Sequence, residues 1–234
     1  MKHIPIVILN KDRLEPLKLL VDALKSRNYN NIIVIDNQST YQPLLDWYTQ
    51  SDIDVFYNDI EATKFDNGTF YRLAYEVQHP KFVSIIQNYY VFTDSDVVPV
   101  ESAPYDFITD MISVLDKYQL HKVGLGLKID DLPESVATTA HVVNTESQYW
   151  TNKLDDDLIL YKAPVDTTFA VYAPNSLPLW GDSSIRMGGD YVAKHIPWYY
   201  DTNNLPEDEL YYVTHLQYGR GPVYSIQVKE LINK

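Results

Sequence analysis

The chain opens with short β-branched runs separated by stretches whose apolar residues recur every three or four positions. "IPIVILN" (4–10) is a continuous apolar run of the kind found in a strand buried on both faces. In "LEPLKLLVDALKSRNY" (14–29), Leu17, Leu20, Val21 and Leu24 share one helical face. "NIIVIDNQST" (31–40) predicts a second buried strand that ends in polar turn residues. "YQPLLDWYTQ" (41–50) predicts a second helix with Pro43 tolerated in its first turn. "IDVFYND" (53–59) predicts a third strand, which completes a β-α-β-α-β order. That order implies a parallel sheet with crossover helices.

Further along, residues 60–88 are less regular, with a helix expected around Phe70–Gln78. "YYVFTD" (89–94) predicts a fourth strand, "YDFITDMISVLDKYQ" (105–119) an amphipathic helix and "KVGLGLKI" (122–129) another strand. Residues 130–165 read as loop-rich, "TTFAVYAP" (167–174) alternates as a strand does, and "PEDELYYVTHLQY" (206–218) predicts a short helix. "GGD" (188–190) fits a hairpin turn or a loop in close approach to a ligand. Neither a linker nor an internal repeat stands out. The fold class expected is α/β, a Rossmann-like, mostly parallel sheet flanked by helices.

Composition narrows the partners. At 234 residues and 45% hydrophobic content the chain can build one proper core, so a single domain spanning 1–234 is expected. Lys and Arg number 19 against 32 Asp and Glu, a net charge of −13. Nucleic acid and anionic membrane surfaces are poor partners for such a chain, because both are polyanions. There are no cysteines, so disulfides and thiolate chemistry are excluded. The N-terminal apolar run of about six residues is too short for a signal peptide or a membrane span, so a cytoplasmic protein with no integral membrane segment is expected. Twenty tyrosines and four tryptophans suit packing, or a flat surface for sugar rings.

The chemistry concentrates where strands end. In open α/β sheets ligands bind at the carboxyl ends of the strands. Asp36 ends the second strand, and "TDSD" places Asp94, Ser95 and Asp96 at the end of the fourth. Paired carboxylates at such a turn suit a hard cation, Mn2+ or Mg2+, that shares oxygen ligands with a phosphate. The same residues also suit a plain turn with a solvated aspartate.

These features resemble the GT-A fold glycosyltransferases, in particular the family 2-like nucleotide-sugar transferases. The match is clearest over the first ~100 residues, the length of one small domain. "VDTTFAVY" (165–172) and "GGDYVAKHIPWYYDTNNLPEDE" (188–209) look like a bacterial and viral group within that class tied to surface-polysaccharide assembly. The resemblance implies a nucleotide-sugar-binding half over 1–100 and an acceptor-side half over 101–234. It implies a nucleoside-diphosphate sugar donor, with UDP first, and a glycan or other hydroxyl acceptor. It further implies nucleotide contacts from Asn10, Arg13, Asp36, Asn37, Asp94 and Ser95, and a cation on Asp96, reached by Asp94 and completed by His195. The acceptor's proton would go to a carboxylate base, with Asp166 first and Asp208 second. "DSDVV" also fits the D-x-D-x-V of Mg2+-dependent haloacid dehalogenase-type phosphatases, with Asp94 as nucleophile, although three strand units precede it here. A non-catalytic sugar-binding module on the same fold is a third reading.

Overall fold

Strands β1 (Ile6–Asn10), β2 (Ile32–Asp36), β3 (Asp54–Tyr57) and β4 (Tyr90–Asp94) pair in the order β3-β2-β1-β4, all parallel. This computed structural model describes residues 2–59, 68–134, 136, 138–155, 157, 159–165, 169–176, 184–216 and 223–232. Successive side chains on a strand face opposite ways, and both faces here are apolar. Ile6, Ile8, Ile32, Val34 and Val91 enter one core, while Val7, Leu9, Ile33, Ile35, Tyr90 and Phe92 enter a second. The first core is covered by helices α1 (Glu15–Lys25), α2 (Gln42–Gln50) and α5 (Phe107–Tyr118). The second is covered by α3 (Gly68–Tyr71), which continues as a π-helical turn over Arg72–Glu76, and by α4 (Pro80–Ile86).

Local sequence accounts for these helices. In α1, Pro16 sits in the first turn where no amide partner is lost, Glu15 and Lys25 suit the two ends of the helix dipole, and Leu17, Leu20, Val21 and Leu24 are buried. In α5, Phe107, Ile108, Met111, Ile112 and Leu115 form the buried face, and Gln119 ends the helix in the left-handed region. Pro80 starts α4 afresh, so residues 68–86 form separate short helical segments.

The second half of the sheet departs from the simple parallel pattern. β9 (Ala170–Tyr172) inserts antiparallel between β4 and β6 (Lys122–Leu127). β10 (Ser184–His195) runs parallel to β6 and is flanked by β8 (Leu160–Lys162) and then β7 (Lys153–Asp155). β5 (Val97–Pro99) returns from the end of β4 to pair with the last residues of β10. In the resulting sheet β5, β8 and β9 run against the other strands. Residues 130–165, expected as loop, also hold α6 (Thr139–Glu146) and a 3-10 turn over Ser147–Trp150. The "GGD" stretch lies inside β10 and is neither a hairpin turn nor a loop. It forms a bulge between Met187 and Val192, with Gly189 at φ 64°, a conformation glycine adopts without a side-chain penalty. Helices α7 (Glu207–His215) and α8 (Val223–Ile232) follow β10. Among the described residues no helix is long and apolar enough to cross a membrane.

Gly126 of β6 fixes how closely the 3-10 turn approaches the sheet. A methyl group there would overlap the Trp150 indole and lie 2.7 Å from the Met187 carbonyl oxygen. Gly126→Ala is therefore expected to destabilise the protein by about 1–3 kcal/mol through overpacking, read as a lower urea midpoint.

Candidate functional site

The parallel register aligns the strand ends. Asn10 is paired with Asp36, and Leu9 with both Ile35 and Asp94, so β1, β2 and β4 deliver Asn10, Asp36 and Asp94 to one edge. The Asn10 amide nitrogen donates to the Tyr48 hydroxyl at 2.8 Å, and that hydroxyl donates to Asp36 Oδ2 at 3.0 Å. Asp36 Oδ1 accepts the Ser39 amide at 2.9 Å. The Asn37 amide donates to the Asn10 carbonyl, and the Asn58 side chain donates to Asn37 Oδ1 at 2.9 Å. Asp12, in the left-handed region, accepts the Thr40 and Tyr41 amides and closes the start of α2. Burial pushes the Asp36 carboxyl above its ordinary value, despite the bonds from Ser39 and Tyr48. The Asn10 amide oxygen is buried and has no hydrogen-bond partner among the described residues. Such a group costs about 1–3 kcal/mol while it goes unsatisfied.

A second cluster lies behind the β4–β5 turn. Arg13 donates from Nη1 to Asp96 Oδ2 at 2.6 Å, and from Nε and Nη2 to the two oxygens of Glu209 at 2.7 and 2.9 Å. Its guanidinium carbon sits 3.9 Å from the centroid of the Tyr212 ring. All three charged residues are buried: Arg13 is 7% exposed, Asp96 2% and Glu209 1%. His195 Nε2 lies 3.6 Å from Asp96 Oδ2, and the imidazole stacks on Trp198 with centroids 4.5 Å apart. Burial opposes the Arg13 charge, but Glu209 and Asp96 more than compensate and raise its pKa. Burial also pushes the His195 imidazole below its ordinary value, further than Asp96 lifts it. For Asp96, burial is outweighed by the charges of His195 and Arg13, which hold the carboxyl below the usual range.

The residues expected from sequence thus fall into separate groups. Asn10, Asp36 and Asn37 come together. Arg13, Asp96 and His195 form the second cluster. Asp94 ends β4 half-buried, and Ser95 is buried with its amide bonded to the Leu9 carbonyl. Asp208 Oδ2 accepts the Leu14 and Glu15 amides at 2.9 and 2.8 Å, and Oδ1 accepts the Glu209 amide. Its carboxylate closes the N-terminus of α1, so its bonds are those of a structural anchor. Asp166 lies outside the described residues. The sequence reading passed over Glu209, Tyr48 and Asp12. Only Tyr48 carried a signal, lying one helical turn from Leu44 on the face of α2 that turns inward.

The expected cation was Mn2+ or Mg2+ on Asp94, Asp96 and His195. Of these residues, Asp96 keeps Oδ1 buried and without a hydrogen-bond partner among the described residues, an acceptor of the kind a hard cation uses. The other oxygen, Oδ2, lies nearest His195 and is the one bonded to Arg13. Among the described residues no group of three or more His, Asp or Glu side chains is gathered to hold a metal.

No protein-family model matches the chain, and no curated protein matches it. Among solved structures it is similar to a cytidylyltransferase from Leptospira borgpetersenii serovar Hardjo-bovis, at 10% identity and a TM-score of 0.38, over 73% of this chain and 60% of that one. It is also similar to a 4-diphosphocytidyl-2C-methyl-D-erythritolsynthase from Anaerococcus prevotii, at 11% identity and a TM-score of 0.35, over 99% of this chain and 85% of that one. Likenesses this low carry no argument about activity. The fold itself defines the class: an α/β protein with a Rossmann-like parallel half and a polar strand-end edge.

Arg13→Ala leaves Asp96 and Glu209 buried without a counter-charge. It is expected to cost about 3–5 kcal/mol in chemical denaturation, whereas Lys18→Ala, which removes an exposed pair with Glu15, costs under about 1 kcal/mol. The Asp96 carboxyl has a depressed pKa in the folded state. Its contribution to stability is therefore fully present above the unfolded value of about 3.9 and is lost as the pH falls through the lower folded value. An Asp96→Asn variant is expected to show a flatter acid limb in stability measured against pH.

Proposed function

We propose that the protein is a glycosyltransferase that moves a sugar from a nucleoside-diphosphate donor, UDP-linked in the first instance, to a hydroxyl of a glycan-type acceptor, as in surface-polysaccharide assembly. The observation that carries this reading is the Asn10–Tyr48–Asp36 chain at the carboxyl ends of β1 and β2, with a buried amide oxygen left over. A nucleoside supplies the missing donors: a base N–H for Asn10, and ribose hydroxyls for the remaining lone pairs of Asp36. The resemblance of "VIDNQST" and "TDSD" to family 2-like transferases supports the same placement.

The acceptor is assigned to a cavity of about 580 Å3 lined by Glu101, Ser102, Lys128, Asp190 and Lys194, with Gly189 of the bulge. Mixed carboxylate, hydroxyl and ammonium groups suit a neutral polyol, which both donates and accepts hydrogen bonds. Asp166 remains the proposed base. It precedes β9, whose first paired residue, Ala170, is flanked by Phe92 of β4 and Gly124 of β6. In that role it takes the acceptor's proton as the hydroxyl attacks the sugar carbon and the diphosphate departs.

A thermal-shift screen of nucleoside diphosphates and nucleotide sugars tests the reading. One class of nucleotide is expected to raise the melting temperature, since a ligand at a hundred times its Kd adds about 2.7 kcal/mol. Asp36→Ala is expected to abolish that rise. The absence of any shift across the screen overturns the proposal.

A further inference from the structure

We infer that Tyr48 is a positioning residue that sets which way the Asn10 amide faces, and so makes the strand-end edge select uracil or guanine over cytosine or adenine. The inference rests on the nucleotide-sugar reading above and narrows the base. Tyr48 is buried, and its hydroxyl lies 2.8 Å from Asn10 Nδ2 and 3.0 Å from Asp36 Oδ2. A hydroxyl has one proton, and a carboxylate can only accept. The proton therefore goes to Asp36, and the bond to Asn10 requires a donor from the amide. That demand holds the NH2 group on Tyr48 and leaves Oδ1 as the other end of the amide. Oδ1 is buried and has no hydrogen-bond partner among the described residues.

Asp36 adds acceptors to the same edge and no donor. The register carries the edge on to β3: Asp36 is the partner of Asn10 on one side and of Tyr57 on the other. The Tyr57 ring meets the Tyr48 ring edge-on, with centroids 6.1 Å apart, and Tyr57 is 57% exposed. The row thus runs from a buried acceptor to a surface aromatic, which gives a base a face to stack on. Bases differ at the middle of the edge they present. Uracil carries N3–H there and guanine N1–H, whereas cytosine and adenine carry a bare ring nitrogen. Against an oxygen held as an acceptor, the first two form a hydrogen bond. The last two set lone pair against lone pair and leave Asn10 Oδ1 unsatisfied, which a buried site penalises heavily.

Isothermal titration of the wild type with UDP, GDP, CDP and ADP tests this. UDP or GDP is expected to bind tighter than CDP and ADP by about tenfold or more. An analogue without the ring N–H, 3-deazauridine for uridine or 1-methylguanosine for guanosine, is expected to lose about tenfold or more against its parent. Tyr48→Phe removes the hydroxyl and frees the amide to turn. CDP is then expected to gain affinity while UDP or GDP loses it, so that their ratio falls to about threefold or less. A merely damaged edge weakens all four alike. Should Tyr48→Phe not fold, the two wild-type comparisons decide alone. CDP or ADP binding the wild type as tightly as UDP and GDP, an analogue that matches its parent, or an unchanged ratio in a folded Tyr48→Phe overturns the inference and leaves the transferase reading intact. Failure of all four diphosphates to bind removes both.

Discussion

A buried positive charge must find its counter-charge inside the protein, and Arg13 does so by drawing three remote pieces of chain together. Taking a lone guanidinium out of water costs several kcal/mol, a cost met only by close and well-oriented acidic partners. Glu209 provides a fork that matches the guanidinium, and Asp96 takes the remaining face. These bonds fix α7 against the β1–α1 loop and hold the β4–β5 turn in place. Asp208, next to Glu209, fastens the same helix to the start of α1 through backbone amides. The loops beside the proposed donor site are thereby tied to α7 and to the β4–β5 turn.

This arrangement separates two jobs that one acidic motif was expected to combine. Asp94 stays at the strand end, where a ligand can be met. Asp96, two residues on, turns inward to Arg13 and His195. The register of β1 against β2 performs the complementary task. It sets Asn10 level with Asp36, and Tyr48 reaches up from α2 to bond both. The proposed recognition of a nucleoside and the assembly of the fold then draw on different side chains, although they share the same loops.

The parallel half of the fold was legible because its evidence is local. Runs such as "IPIVILN" are apolar on both faces, and Leu17, Leu20, Val21 and Leu24 mark a helix by spacing alone. The polar residues that end those runs, Asn10, Asp36, Asn37 and Asp94, could be placed for the same reason. β10 was hidden because Gly188 and Gly189 look like a turn, yet a bulge keeps them within a strand. β7 and β8 are three residues each, too short to show a period. The Arg13 cluster was illegible in a stronger sense: its bonds join residues 83 and 196 positions apart, and no spacing rule reaches that far.

The reversed strand β9 also bears on how the molecule is made. It fills the gap between β4 and β6, yet it is synthesised after both. Until residues 170–172 leave the ribosome, the inner sides of β4 and β6 present open backbone amides and carbonyls next to apolar side chains. Open strand edges of this kind invite pairing with other chains. The nascent protein therefore passes through an interval in which its future centre is exposed as two sticky borders, and that interval ends only when the wedge between them arrives.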